Sequence, residues 1–406
     1  MTAASSSTSS SAVAAPFRIL VLPGDGIGRE VVPAALDVLR ATGLPFEFVP
    51  GEAGWECFQQ HGTSLPDATL AAARAADAIL FGAVSSPSHP VAGYRSPIVG
   101  LRRALDLYAN IRPVQNQEPR TKNQDNADAG SRFSVLGSQS VDLVVVRENT
   151  EGLYAGLETS DGETAVAQRV ITRKASERIA RVAFALARAR GQGLGVSGQA
   201  QIALARPLTP GPRPLVTVVH KANVMRETCG LFRATALKVA EEYPDVTADE
   251  QLVDSAALQL VQRPERFDVL VTTNMFGDIL SDVASYWCGG LGMATSANIG
   301  DNHALFEPVH GSAPDITGKG VANPLAAIGC AAMLLEHLAN CRLQIADCKL
   351  PDSQQLISDE CRVWAARIRS AITATLASDL RTPDLGGTAR TEDVTYAIIA
   401  SLTDHI

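Results

Sequence analysis

Short β-branched and apolar runs recur along this chain, with helix-forming stretches between them. The runs are "FRILVLPG" (17–24), "DAILFGAV" (77–84), "VDLVVVREN" (141–149), "LVTVVHKAN" (215–223) and "FDVLVTTN" (267–274). Between them, "VVPAALDVLRAT" (31–42), "SERIARVAFALARARG" (176–191) and "NPLAAIGCAAMLLEHLAN" (323–340) repeat their apolar residues at helical spacing. Apolar strands alternating with helices predict an α/β fold around a largely parallel sheet, because only a sheet covered on both faces tolerates such strands. Two segments break the rhythm, a polar and charged one at 115–133 and a Gly-, Pro- and Gln-rich one at 191–214, and both read as surface insertions.

Composition narrows the class. The 406 residues are 46% hydrophobic and 19% charged, which describes a globular chain long enough for more than one core. A net charge of −8 repels phosphate backbones and anionic membranes, so no nucleic acid or membrane partner is expected. The apolar stretch from Leu325 to Leu335 falls far short of the ~20 residues a bilayer span needs. Seven cysteines without a C-x-x-C pair fit reduced thiols better than a disulfide frame or a zinc site. Residues 1–16, "MTAASSSTSSSAVAAP", contain neither acid nor base and read as a disordered leader, without the arginines of a typical transit peptide.

Several motifs carry chemistry. "LPGDGIGRE" (22–30) joins a strand to a helix, but Arg29 stands where a dinucleotide fingerprint requires its third glycine. The match fails, and a turn built of glycine for backbone reasons explains it better. In "TTNMFGDILSDVAS" (272–285), a helix starting near Phe276 puts Asp278 and Asp282 one turn apart on one face, where they can meet one hard cation. The plainer alternative is one helix cap and one solvated acid. Arg102 and Arg112 in "GLRRALDLYANIRP" and Arg147 in "VVVREN" can hold the carboxylates of a polyanion by forked hydrogen bonds, or each can form an ordinary ion pair. Lys221 ends an apolar strand, where partial burial favours a base, and Tyr154 in "RENTEGLYAG" is a candidate proton donor.

Together these residues resemble the β-decarboxylating hydroxy-acid dehydrogenases, the family of isocitrate, isopropylmalate and homoisocitrate dehydrogenases, from about residue 17 to the C-terminus. The block "NIGDNHALFEPVHGSAPDITGKGVANP" (298–324) is similar to that family's nicotinamide-dinucleotide loop. The resemblance implies a two-domain α/β isocitrate/isopropylmalate dehydrogenase-like fold with a central cleft, not a Rossmann fold. Residues 17–107 plus 289–406 would form the cofactor-binding domain, and 108–288 the substrate and dimerisation domain. It implies a substrate clamp of Arg102, Arg112 and Arg147, an acid–base pair of Tyr154 and Lys221, and Mg2+ or Mn2+ on Asp254, Asp278 and Asp282. It further implies a homodimer or higher assembly with shared sites, in which Lys221 and Asp254 come from the second subunit.

For the cofactor, the resemblance implicates His310, Gly311, Ala313, Asp315 and Asn323, with Asn223 near the nicotinamide. Asp315 suits a ribose diol and repels a 2′-phosphate, which favours NAD. Isopropylmalate enzymes resemble "RELTGGIYFG" at the tyrosine motif, whereas this chain has "RENTEGLYAG" and "GYRSPIVGLRR" (93–103), which points to a hydroxy-tricarboxylate. "AGWECFQQHG" (53–62) and the stretch 81–103 look most like fungal-type homoisocitrate dehydrogenase, with Ser96, and Arg95 beside it, near the extra carboxylate. The implied reaction is NAD-dependent oxidative decarboxylation of homoisocitrate to 2-oxoadipate in lysine biosynthesis. The alternatives are isocitrate, tartrate or isopropylmalate oxidation, or a non-catalytic regulatory subunit. The location expected is intracellular, mitochondrial by the fungal resemblance and cytoplasmic by the arginine-free leader. Trp287 and Thr295 depart from the family, whose members commonly have small residues and proline there.

Overall fold

A computed structural model describes residues 15–89, 91–116, 141–192, 214–344, 352–378 and 380–403. The leader to residue 14 and the insertion residues 117–133 and 193–213 lie outside the described residues.

The strands are β1 (Phe17–Gly24), β2 (Phe46–Pro50), β3 (Ala78–Ala83), β4 (Ala109–Gln115), β5 (Asp142–Glu148), β6 (Gly152–Ser160), β7 (Ala165–Val170), β8 (Leu215–His220), β9 (Thr247–Leu252), β10 (Val269–Thr272), β11 (Thr295–Ile299) and β12 (Ala304–Pro308). The helices are α1 (Gly28–Ala41), α2 (Trp55–His61), α3 (Asp67–Ala75), α4 (Pro97–Ala104), α5 (Arg173–Gln192), α6 (Thr228–Ala240), α7 (Val253–Gln262), α8 (Asn274–Ser285), α9 (Leu325–Gln344), α10 (Asp352–Ala377) and α11 (Thr391–Thr403). All five apolar runs are strands, and the three periodic stretches are α1, α5 and α9.

Ten strands make one sheet in the order β2-β1-β3-β12-β11-β4-β5-β10-β8-β9. The outer pairings are parallel, from β2 to β12 on one side and from β5 to β9 on the other. The expectation of a mainly parallel sheet therefore holds, with a correction at its centre: β12, β11, β4 and β5 pair antiparallel. Strands from 17–107 and 289–406 build the half that ends at β11, and strands from 108–288 build the half that starts at β4. Strands β3 and β10 are buried along their whole length, as their unbroken apolar sequences require. Helix α9 is buried all round from Leu325 to Ala339, so its apolar residues need no single face.

The "GDGIG" turn is glycine-rich because its neighbours press on it. Gly24 and Gly26 have φ of +71° and +55°, and a Cβ on them would lie 2.0 Å from the Ala83 carbonyl oxygen and 2.1 Å from that of Ser312. Asp25 between them is buried and accepts the backbone N–H of Trp55 (2.8 Å), Glu56 (3.0 Å) and Ser85 (2.8 Å), so it starts α2 and anchors the β3 loop. The two family departures also have packing reasons. Trp287 donates its indole N–H to the Leu260 carbonyl at 2.7 Å, and Thr295 fills the space over Gly329 of α9. Described cysteines 57, 229, 288, 330 and 361 are free thiols, four of them buried, as the spacing predicted. No described helix is long and apolar enough to cross a membrane.

Candidate active site

Helix α8 leaves the carboxyl end of β10 and begins at Asn274, so Asp278 and Asp282 do share one face. Neither caps the helix, since residue 273 is the N-cap. Both turn toward β4 and β5 instead. Arg112 sends one guanidinium nitrogen to Asp282 (3.1 Å) and Ser281 (2.7 Å) and another to Asp278 (3.2 Å). Arg147 is 1% exposed, donates to the same Asp278 oxygen, and is steered there by two hydrogen bonds to Asn274 Oδ1 at 2.9 and 2.7 Å. Tyr154 donates its hydroxyl to the other Asp278 oxygen and lies under the Arg147 guanidinium, 5.1 Å from ring centre to Cζ. Five of the expected residues thus form one network.

The electrostatics follow from that packing. Burial raises the Asp278 carboxyl, but Arg147, the Tyr154 hydroxyl and Arg112 outweigh it and hold the group below the usual carboxylate range. Burial pushes Asp282 up, with Arg112 opposing and Asp278 adding to the rise. The Tyr154 phenol is raised by burial and again by Asp278, so it keeps its proton past neutrality. Burial lowers Arg147 to about 10, against the pull of Asp278, and it stays charged at neutral pH.

Arg102 sits on α4, one helix away, and pairs with Glu307 at 2.9 Å. Its Nε donates to Asn298 Oδ1 at 3.1 Å, and that oxygen also accepts Asn110 Nδ2 (3.0 Å) and Asn149 Nδ2 (2.8 Å). Asn110 Oδ1 in turn accepts Arg112 Nε at 2.8 Å. Strand register creates this frame: Asn298 faces Asn110 across β11 and β4, and Asn110 faces Arg147 across β4 and β5. Asn110, Asn149, Asn274, Ser281, Asn298 and Glu307 orient the arginines, and the sequence reading missed all of them. Their signal was present only as polar residues inside, or for Asn149 just past the end of, otherwise apolar strands and helices.

Lys221 and Asp254 form a separate pair. Lys221 follows β8, Asp254 lies in the first turn of α7, and they meet at 2.7 Å. This contact holds the Asp254 carboxyl below its usual range. Among the described residues no three His, Cys, Asp or Glu side chains gather as a metal cluster. Asp278 and Asp282 alone form an oxygen-only donor pair of the kind a hard divalent cation takes, with Asp282 half-exposed. The residues fit such an ion as two ligands of one chain, and Asp254 is not beside them.

The cofactor candidates lie after β12. His310 Nε2 is buried without a partner, while its Nδ1 stands 3.0 Å from the Gly311 carbonyl. Burial lowers the His310 pKa, so the ring is neutral. Gly311 borders open space, Ala313 has a φ of +40°, and Asp315 is exposed. The loop is fixed by Glu30, whose carboxylate accepts the N–H groups of Gly318 (2.6 Å) and Gly320 (2.9 Å). An orphaned buried ring nitrogen and an exposed acid suit a ribose-bearing ligand. Asn323 is buried and occupied: Oδ1 caps α9 through the Leu325 N–H at 3.0 Å, and Nδ2 donates to Asp384 at 3.0 Å. Asn223 is exposed beyond Lys221, and Ser96 is the N-cap of α4 with no side-chain hydrogen bond to the helix.

Residues 18–398 match the family described as isocitrate/isopropylmalate dehydrogenase. The chain is 46% identical over 387 residues to the isocitrate/homoisocitrate dehydrogenase of Thermus thermophilus, covering 95% of this chain and 98% of that protein. It is 45% identical over 375 residues to the 3-isopropylmalate/3-methylmalate dehydrogenase of Methanocaldococcus jannaschii, covering 92% and 95%. Among solved structures, the isocitrate dehydrogenase from Methylococcus capsulatus superposes with a TM-score of 0.76 at 40% identity, over 95% of this chain and 99% of that one.

Proposed function

Because the chain belongs to the isocitrate/isopropylmalate dehydrogenase family, a family of β-decarboxylating dehydrogenases, we propose that it oxidises and decarboxylates homoisocitrate to 2-oxoadipate with NAD. The observation that carries this reading is the joining of Arg112, Arg147, Tyr154, Asp278 and Asp282 in one half-buried network. A clamp for carboxylates, a proton donor and two hard oxygen ligands then share one place. Retention of Tyr154, Lys221 and all three aspartates argues against a regulatory subunit without a working site. Ser96, with its hydroxyl not spent on the helix, supports a third carboxylate at the start of α4.

In this reading Arg102, Arg112 and Arg147 bind and orient the carboxylates of the substrate. Asp278 and Asp282, with Asp254 from a second copy, would hold a divalent cation that would supply Lewis-acid polarisation of the substrate oxygen, and the 310–323 loop would hold NAD, which would supply the hydride acceptor. Lys221 would take the proton of the C2 hydroxyl. After the β-carboxylate departs as carbon dioxide, Tyr154 returns a proton to the carbon left behind.

The separation of the Lys221–Asp254 pair from the Asp278 network supports a homodimer in which each site draws on both chains. Exposed apolar side chains on the adjacent helices α7 and α8, Leu258, Val261 and Ile279, give a second copy a surface to cover. Residues 17–107 with 289–406 would then serve the cofactor and 108–288 the substrate and the dimer contact. The named relatives come from a bacterium and an archaeon and lend nothing to a mitochondrial location, so only the intracellular part of that expectation is retained.

The test is a panel of homoisocitrate, isocitrate, 3-isopropylmalate and tartrate with NAD and magnesium. Homoisocitrate is expected to give the highest kcat/KM. Preference for isopropylmalate would overturn the substrate assignment and leave the residue roles standing.

A further inference from the structure

Next to Arg102, which turns inward, Arg103 turns outward and has no carboxylate partner among the described residues. Its Nη2 donates to two backbone carbonyls of another element, those of Tyr154 (2.6 Å) and Ala155 (3.1 Å). The reason those carbonyls accept it lies in the β6–β7 ladder. Gly152 pairs with Val170 and Leu157 with Gln168, so five steps along β6 match only two along β7. The residues between leave the ladder, and Gly156, at φ +68°, completes the irregularity. A backbone stretch without its strand partner must find hydrogen bonds elsewhere. Arg103 provides them from α4.

We propose that Arg103 is a positioning residue, a strap that fixes the bulged backbone of β6 so that the Tyr154 hydroxyl stays aimed at Asp278. This rests on Tyr154 being the proton donor. The strap joins the helix that carries Arg102 to the strand that carries Tyr154, so one dipeptide sets both the clamp and the acid. Since Arg103 touches no reacting atom, its removal lowers turnover through Tyr154 and leaves substrate affinity largely intact.

The rival assignment is a fourth carboxylate clamp, and steady-state kinetics separate the two. In the full-length protein, with NAD, magnesium and whichever acid of the panel is turned over fastest, Arg103→Met is expected to lower kcat about tenfold while KM for the acid changes less than about threefold. Arg103→Lys is expected to recover at least about a third of the activity, because an ammonium can still donate to both carbonyls. Hydrogen exchange in the peptide spanning 152–157 should quicken about tenfold in the Met variant and stay near the parent rate in the Lys variant. A raised KM with unchanged kcat would make Arg103 a substrate clamp and overturn the strap. Unchanged kcat together with unchanged exchange would overturn it as well. If the unaltered protein turns over nothing in the panel, the functional reading fails, and the exchange measurement still decides the strap.

Discussion

Replacing Asn298 with alanine tests whether the arginine clamp is held by the polar row across the sheet. Asn298 is fully buried, and its Oδ1 accepts three donors: Arg102 Nε, Asn110 Nδ2 and Asn149 Nδ2. Its own amide donates to Glu307 at 2.8 Å. In Asn298→Ala the Asn110 and Asn149 amides keep Ser296 and the Leu107 carbonyl and Arg102 keeps Glu307 through Nη2, but one buried N–H of each of the three residues, Nε in Arg102, loses its partner. A buried donor left unsatisfied costs about 1 to 3 kcal/mol, so three would cost about 3 to 9. Water entering the space of the lost amide restores part of this, which places the expected loss near about 3 to 5 kcal/mol. That is a large share of the ~5 to 15 kcal/mol that stabilises a typical folded domain. Urea unfolding followed by circular dichroism, at fixed protein concentration, reads it as a shift in midpoint at constant slope. Arg102 loses its orientation along with its bond, so KM for the substrate should rise as well. A stability loss below about 1 kcal/mol with unchanged KM would refute the reasoning, since it would mean that the three donors are satisfied without Asn298.

Two further outcomes are expected. His337, buried against Phe306, is lowered by burial to about 4 from an unfolded value near 6.5. The unfolded chain binds the proton first as pH falls, so stability is intact above about 6.5 and declines by about 3 kcal/mol on the way to pH 4; His337→Leu should flatten that slope in urea midpoints, and an equal slope would remove His337 as its source. If the site is shared between two chains as proposed, Lys221→Ala and Asp278→Ala homodimers should both be inactive, while a doubly tagged heterodimer should collect both lesions in one site and restore the other. A verified heterodimer that binds NAD yet has no more activity than its parents would show that both residues serve the same chain's site.

The parts of this fold that were legible in sequence are those set by local burial. Strand β10 and its neighbours β5 and β8 read as apolar runs because both faces of each are covered, and α8 could be placed because its residues carry a helical stripe. Strand β9, "TADEQL", lies at the sheet edge with a polar, partly exposed sequence, and nothing local distinguishes it from a loop. The same holds for β7, whose first four residues are exposed. The antiparallel centre was missed for another reason: β11 pairs with β4 across almost two hundred residues of sequence, and at this pair as at β11–β12 and β4–β5 the direction is fixed by topology rather than by side-chain pattern. At the site, charged residues in apolar surroundings announced themselves, whereas Asn110 and Asn298 became meaningful only when the register set them opposite each other.

The arrangement also explains how one sheet holds so many charges in its interior. Asp278, Asp282 and Glu307 stand against Arg102, Arg112 and Arg147, so each buried cation faces at least one carboxylate, and an asparagine accepts the Nε of each. An unpaired charge at Arg147, 1% exposed, would cost several kcal/mol. The same pairing means that the clamp and the acids hold each other in place when no ligand does so. Any polyanion that engages Arg112 and Arg147 must draw them from Asp278, and any cation that engages Asp278 must release them. The burial that obliges these six side chains to pair with one another is thus also the burial on which the proposed clamp for a small charged substrate rests.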